Sequence, residues 1–200
     1  MLSEFLVFLR LGFEHIADIQ GYDHILFVVA LCAGYEPRHW KKLLILVTAF
    51  TLGHSLTLAL ATLRIITIND ALVEFLIPLT ILLTGVMNVA TTSSKGSEAV
   101  EGKGARVLKY LLALAFGLIH GMGFSNFLRS LLGQEEGIAL PLFSFNVGLE
   151  LGQICIVVAV MILTFLMVRV LRMRRHDWVL VLSGATIGVA LILMVERLAA

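Results

Sequence analysis

The stretch "FEHIADIQGYDHILF", Phe13 to Phe27, decides how this chain folds. It carries two His, two Asp and one Glu, then runs without interruption into the apolar "ILFVVALCAG" of residues 25–34. Whether these polar groups lie at a membrane surface or inside a bundle depends on the rest of the sequence. Of the 200 residues 59% are hydrophobic and only 14% charged, and the mean hydropathy is +0.97. A soluble domain rarely has this composition; an integral membrane protein does. The net charge of +1 says nothing about nucleic acid, but no basic arm or aromatic-basic patch is present, and no nucleic-acid partner is expected. Cys32 and Cys155 stand singly in apolar runs, so neither a disulfide framework nor a C-x-x-C motif is present. The N-terminus lacks a basic region and a small-residue cleavage site, and does not read as a removable signal peptide.

A hydrocarbon core of about 30 Å takes roughly 20 apolar residues as helix. Five runs approach or exceed that length, at 43–63, 71–90, 107–128, 141–168 and 178–195. A sixth, 22–33, spans only if its helix extends back toward His15. Residues 1–20 hold Leu2, Phe5, Leu6, Phe8, Leu9 and Phe13 beside Glu4, Arg10 and Glu14, which suits an amphipathic helix lying on the membrane. The expected fold is therefore an all-α polytopic transmembrane bundle forming one domain over residues 1–200. It has an N-terminal interfacial helix at 1–20, a bundle over 22–195 of six spans, or seven if 2–14 also crosses, and a flexible loop at 91–106. The Lys- and Arg-rich loops after the first, third and fifth spans are cytoplasmic by the positive-inside rule, which puts both termini outside.

Depth then singles out residues. At a rise of about 1.5 Å per residue, His54 and His120 lie roughly 16 Å from the cytoplasmic starts of their helices, His24 lies roughly 15 Å from Gly34, and Glu150 roughly 13 Å below the outer surface. Asp23 precedes His24. Five ionisable groups at one depth in four helices are expensive, and function is the default reading of such groups. The expected site is Asp23, His24, His54, His120 and Glu150, with Ser55, Asn146 and Gln153 as supporting partners. Imidazole with carboxylate suits Ni²⁺, Co²⁺ or Zn²⁺. A lone intramembrane His is as often a helix-to-helix hydrogen-bonder, so the bland reading is a polar-core scaffold. "FTLGHS" and "FGLIHG" share an F-x-x-x-H pattern on helices of the same direction, which is either a parallel repeat or chance. His39 and His176, in basic loops, are expected to be solvated.

The segments "GFEHIADIQGYDHILFVVAL", "FTLGHSLTLALA", "FGLIHGMGF" and "FNVGLELGQ", between residues 11 and 155, resemble the HupE/UreJ family. These are small bacterial membrane proteins viewed as permeases for nickel or related divalent ions. The resemblance implies a multi-pass protein of the bacterial inner membrane that transports a divalent metal through Asp23, His24, His54, His120 and Glu150. The family pattern has a His four residues before the Gly of its G-x-D-H element. Here Ala17 holds that position and His15 lies six before Gly21, so His15 falls outside the expected site. The competing function is an intramembrane metal-dependent hydrolase acting on a lipid or lipid-linked substrate, with three His and a carboxylate activating a water.

Overall fold

Apolar runs punctuated by Gly, Pro and short charged segments fold into eight α-helices among the described residues of a computed structural model, which are 2–66, 69–92, 102–132 and 137–199. They are α1 (Leu2–Ala17), α2 (Asp23–Ala33), α3 (Trp40–Thr62), α4 (Asp70–Thr91), α5 (Lys103–Gly123), α6 (Ser125–Leu132), α7 (Ala139–Phe165) and α8 (Arg175–Ala199). A 3₁₀ turn, Pro37–His39, leads into α3, and a π turn, Leu166–Val170, extends α7. The five helical segments Pro37–Thr62, Asp70–Thr91, Lys103–Gly123, Ala139–Val170 and Arg175–Ala199 are long and apolar enough to cross a membrane. No strand occurs among the described residues.

Three helix pairs form the frame, each joined through glycine. In the α3–α5 pair a methyl group on Gly53 would overlap the Leu114 carbonyl oxygen, one on Gly117 that of Phe50, and one on Gly121 that of His54. Residue numbers rise together along the contact, so α3 and α5 run parallel. The two F-x-x-x-H segments thus lie side by side in register, Phe50 against Gly117 and His54 against Gly121. In the α1–α7 pair, Gly12 meets the Phe145 carbonyl and Gly148 that of Leu9. This pair is parallel too. The α4–α8 pair is antiparallel, with Gly85 against Ile187 and Ser183, and Glu74 paired with Arg197 at 3.2 Å at the outer end. Glycine lets backbones approach closely enough for such carbonyl contacts.

The N-terminal segment is the amphipathic helix expected, burying Phe8, Gly12 and Ile16 and exposing Arg10 and Glu14. α1 packs lengthwise on α7, with Phe8 and Ile16 in one cluster with Leu142, Phe145 and Leu149. α2 continues in the same direction, with Val28 and Cys32 packed against Val157 and Met161 further along α7. The two helices form one passage broken at residues 18–22. Its parts have 16 and 11 residues, together enough to cross. With the five long helices this makes six passages among the described residues, with the start of α1 and the end of α8 at one end of the bundle and the basic turns at the other. There the half-buried Glu36 faces Arg175 at 3.3 Å and Arg38 at 3.4 Å, and Arg175 also donates to the Gly34 carbonyl at 3.0 Å.

Two boundaries also differ. The run 107–128 is not one helix: α5 ends at Gly123, Ser125 Oγ donates back to the Met122 carbonyl at 2.8 Å, and the short amphipathic α6 follows. α4 begins at an Asn69 cap, whose side chain accepts from the Leu72 N–H at 3.1 Å. Most of the 91–106 segment, expected as a flexible cytoplasmic loop, lies outside the described residues.

Candidate metal centre

The break in the first passage places two histidines where helices end. His15 lies in the last turn of α1, and His24 is the second residue of α2. Across from them stand His54 of α3 and His120 of α5, both fully buried. Ring centroids are 4.6 Å apart for His15–His24, 5.8 Å for His15–His54, 6.0 Å for His24–His54 and 5.0 Å for His24–His120. His24 is therefore the hub. Ligand-capable atoms of His15, His24 and His54 all lie within 4.8 Å of one another. Metal–nitrogen bonds of about 2.1 Å at tetrahedral angles put ligand nitrogens about 3.4 Å apart, so a bound ion would draw these rings in by about an ångström.

Hydrogen bonding fixes two tautomers. The backbone N–H and ring Nδ1 of His24 reach Asp23 Oδ1 at 2.7 and 2.9 Å. An ionised carboxylate only accepts, so Nδ1 carries the proton and Nε2 keeps its lone pair. The Thr80 hydroxyl donates to the Ile77 carbonyl at 2.7 Å, so its oxygen accepts from His120 Nε2–H at 2.9 Å. His120 Nδ1 then keeps the lone pair. Five ring nitrogens in the cluster are buried without a protein partner: His15 Nε2, His24 Nε2, both nitrogens of His54, and His120 Nδ1. Leaving a polar atom in that state costs about 1–3 kcal/mol, unless a ligand takes it. All are imidazole nitrogens, which suit Zn²⁺, Ni²⁺ or Co²⁺ better than Mg²⁺ or Ca²⁺.

Four of the five expected residues thus come together, with His15 added. The missed signal was the helix break: residues 18–22 turn the chain so that a His six before Gly21 meets the one three after it. Asp23 joins the cluster through His24, its Oδ1 already committed to that ring. Glu150 is not brought in. α7 turns Phe145 and Leu149 inward, and Glu150 sits about 100° further round the helix. Its carboxylate accepts from the Thr48 hydroxyl at 2.7 Å. The supporting trio divides similarly. Ser55 Oγ donates to the Thr51 carbonyl at 2.6 Å, and Gln153 Oε1 accepts from the Thr51 hydroxyl at 2.7 Å. Asn146 follows Phe145, whose ring stacks on His54 at 6.3 Å, and its Oδ1 is buried without a partner.

A cavity of about 220 Å³ connects His15, His24 and His120 to the end of the bundle where α4 begins and α8 ends. His15, His24, His120 and Asp23 line its floor, and Asp18, Glu74 and Arg197 line its mouth. Pro78 also lines it and lacks the N–H that the Glu74 carbonyl would accept within a helix.

Compared with known protein families, residues 1–197 match the family model described as HupE / UreJ protein. Nothing among curated proteins or solved structures matches the chain.

Proposed function

The chain belongs to the HupE/UreJ family, and from that premise we propose that it is a divalent transition-metal permease of the bacterial inner membrane, with Ni²⁺, Co²⁺ or Zn²⁺ as its cargo. The observation that carries this reading is the set of partnerless ring nitrogens that four helix segments bring together. The cavity gives a hydrated cation a route to them from the outer side, past Asp18 and Glu74, whose carboxylates attract it. At the floor, imidazoles replace water around the ion. Asp23 holds His24 with Nε2 toward the cluster. His54 has no competing hydrogen bond, so either of its ring nitrogens can be the one that carries the lone pair. Release is aided wherever protons compete for the same nitrogens.

The experiment is uptake into sealed proteoliposomes. Purified wild type should carry Ni²⁺, Co²⁺ or Zn²⁺ inward in a saturable way, and a His24→Ala/His54→Ala double variant should not. Flux equal to that of empty liposomes, with metal retained by the protein through dialysis, would replace this reading with the second one. That second reading is a metal-dependent hydrolase on a lipid-linked substrate. The feature favouring it is that the cavity over His15, His24 and His120 is also lined by Asp18, Glu74 and Arg197, polar groups at one end of the bundle past which a substrate head group could enter.

A further inference from the structure

The floor of the outer cavity rests on an aromatic wall. Phe27 is fully buried, and its ring lies 5.0 Å from His120, 4.7 Å from Phe50 and 6.0 Å from Phe116. Beyond it, toward the basic side, is a second cavity of about 40 Å³, whose lining includes Leu31, Thr84, Asn88, Lys109 and Phe116. The same three helices line both spaces. α2 contributes His24 to the outer and Leu31 to the inner, α4 contributes Pro78 and then Thr84, and α5 contributes His120 and then Phe116. Between them stands one apolar layer containing Phe27, Phe50, Ile81 and Phe116.

We propose that the inner cavity is the exit vestibule for the divalent cation and that Phe27 is the barrier separating it from the imidazole site. The assignment of an exit rests on the permease reading. The chemistry of the vestibule fits release. Its oxygen donors are the Tyr35, Thr84 and Thr91 hydroxyls and the Asn88 amide, with no imidazole or carboxylate among the lining residues; Lys109 also lines it, its ammonium over the Tyr35 ring, and the rest of the lining is apolar. A borderline-soft cation leaving nitrogen ligands is held weakly by such a set. The element that such an exit would require to move is α2, which Asn88 Nδ2 holds to α4 by donating to the Ala30 carbonyl at 2.7 Å. α2 has non-helical chain at both ends, at 18–22 and 34–36. The α3–α5 and α1–α7 pairs, by contrast, are locked by backbone contacts at their glycines. His24 and Phe27 are three residues apart on α2, so one displacement of this helix moves a ligand and the barrier together.

The test uses thiol accessibility, which does not depend on transport. Cys32→Ala and Cys155→Ala remove the native thiols, and Thr84→Cys places one in the vestibule. Sealed right-side-out vesicles receive Ag⁺ outside, and the thiols left free are counted with a maleimide after denaturation. With Phe27 present the thiol should be slow to react. In Phe27→Ala its loss should speed up by about tenfold or more, because neighbouring side chains only partly fill the hole left by a deleted ring. Phe116→Ala is measured in parallel, each variant being checked by gel filtration, so that misfolding of one leaves the other decisive. Unchanged rates in the folded variants would overturn the barrier assignment. Faster thiol loss in a protein that carries no Ni²⁺, Co²⁺ or Zn²⁺ would uphold the barrier and remove the permease reading instead.

Discussion

Replacing Asp23 by Asn separates a carboxylate that orients a ligand from one that is a ligand. Asp23 Oδ1 accepts from both the backbone and the ring of His24, at 2.7 and 2.9 Å, and its side chain is 24% exposed. The oxygen facing the imidazole is therefore already used, and the role assigned to Asp23 is to fix the His24 tautomer and ring orientation. Losing such a partner typically lowers metal affinity by about 10- to 100-fold, or about 1.4–2.7 kcal/mol. Asn keeps a carbonyl oxygen able to accept from Nδ1–H but loses the charge, so Asp23→Asn belongs near tenfold and Asp23→Ala toward a hundredfold. Calorimetric titration with Ni²⁺ measures the affinity, and the visible spectrum of bound Co²⁺ reports coordination number. The expected result is weaker binding with an unchanged Co²⁺ spectrum. A spectrum altered by Asp23→Asn, or a loss far beyond a hundredfold, would make Asp23 a direct ligand and refute the tautomer argument.

Three further outcomes follow from the same geometry. Gly121→Ala drives a methyl group into the His54 carbonyl and the Thr57 hydroxyl; overpacking of this kind costs about 1–3 kcal/mol. The thermal midpoint in detergent should fall and metal affinity with it, since the contact sets His54 beside His120; unchanged values would mean that the two helices are not held by that contact. Glu150→Gln should leave Ni²⁺ affinity within about twofold of wild type, because Glu150 faces Thr48 and not the imidazoles; a loss as large as that of His54→Ala would return it to the site. Metal should bind more tightly at pH 8 than at pH 5.5, because neutral imidazole is the ligand form and an unperturbed His titrates near 6.5. Protonation can only displace the ion, so tighter binding at pH 5.5 would exclude histidine ligands.

Much of this architecture was legible in hydropathy alone, because a lipid-facing helix must be apolar over its length and five runs met that demand. The common depth of His24, His54 and His120 was legible too, since helical rise is fixed. Two features were not. The first passage is built from two helices, and neither is long enough to signal a span; only the packing of Gly12 and Gly148 shows that α1 belongs inside the bundle. The face of α7 was also ambiguous. Asn146, Glu150 and Gln153 share a stripe at helical spacing, but the buried stripe at the site is Phe145 and Leu149. A polar stripe marks where a helix meets other polar groups, here Thr48 and Thr51 of α3, and not necessarily where it meets a ligand. His15 was set aside on its spacing from Gly21, which the turn at 18–22 makes irrelevant.

The proposed function stands or falls on whether His15, His24, His54 and His120 form one binding site for a divalent transition metal. Titrating Ni²⁺, Co²⁺ and Zn²⁺ into purified wild type and into the His24→Ala/His54→Ala variant tests it most directly. The variant removes the hub and the ring with two partnerless nitrogens. Wild type should bind one ion per chain with at least one of these metals. In a variant that still elutes as a folded species, affinity should fall by about a hundredfold or more, as expected when ligands themselves and not only their outer partners are lost. Equal affinity and stoichiometry in the two proteins would place the metal elsewhere and leave the four histidines as packing between helices.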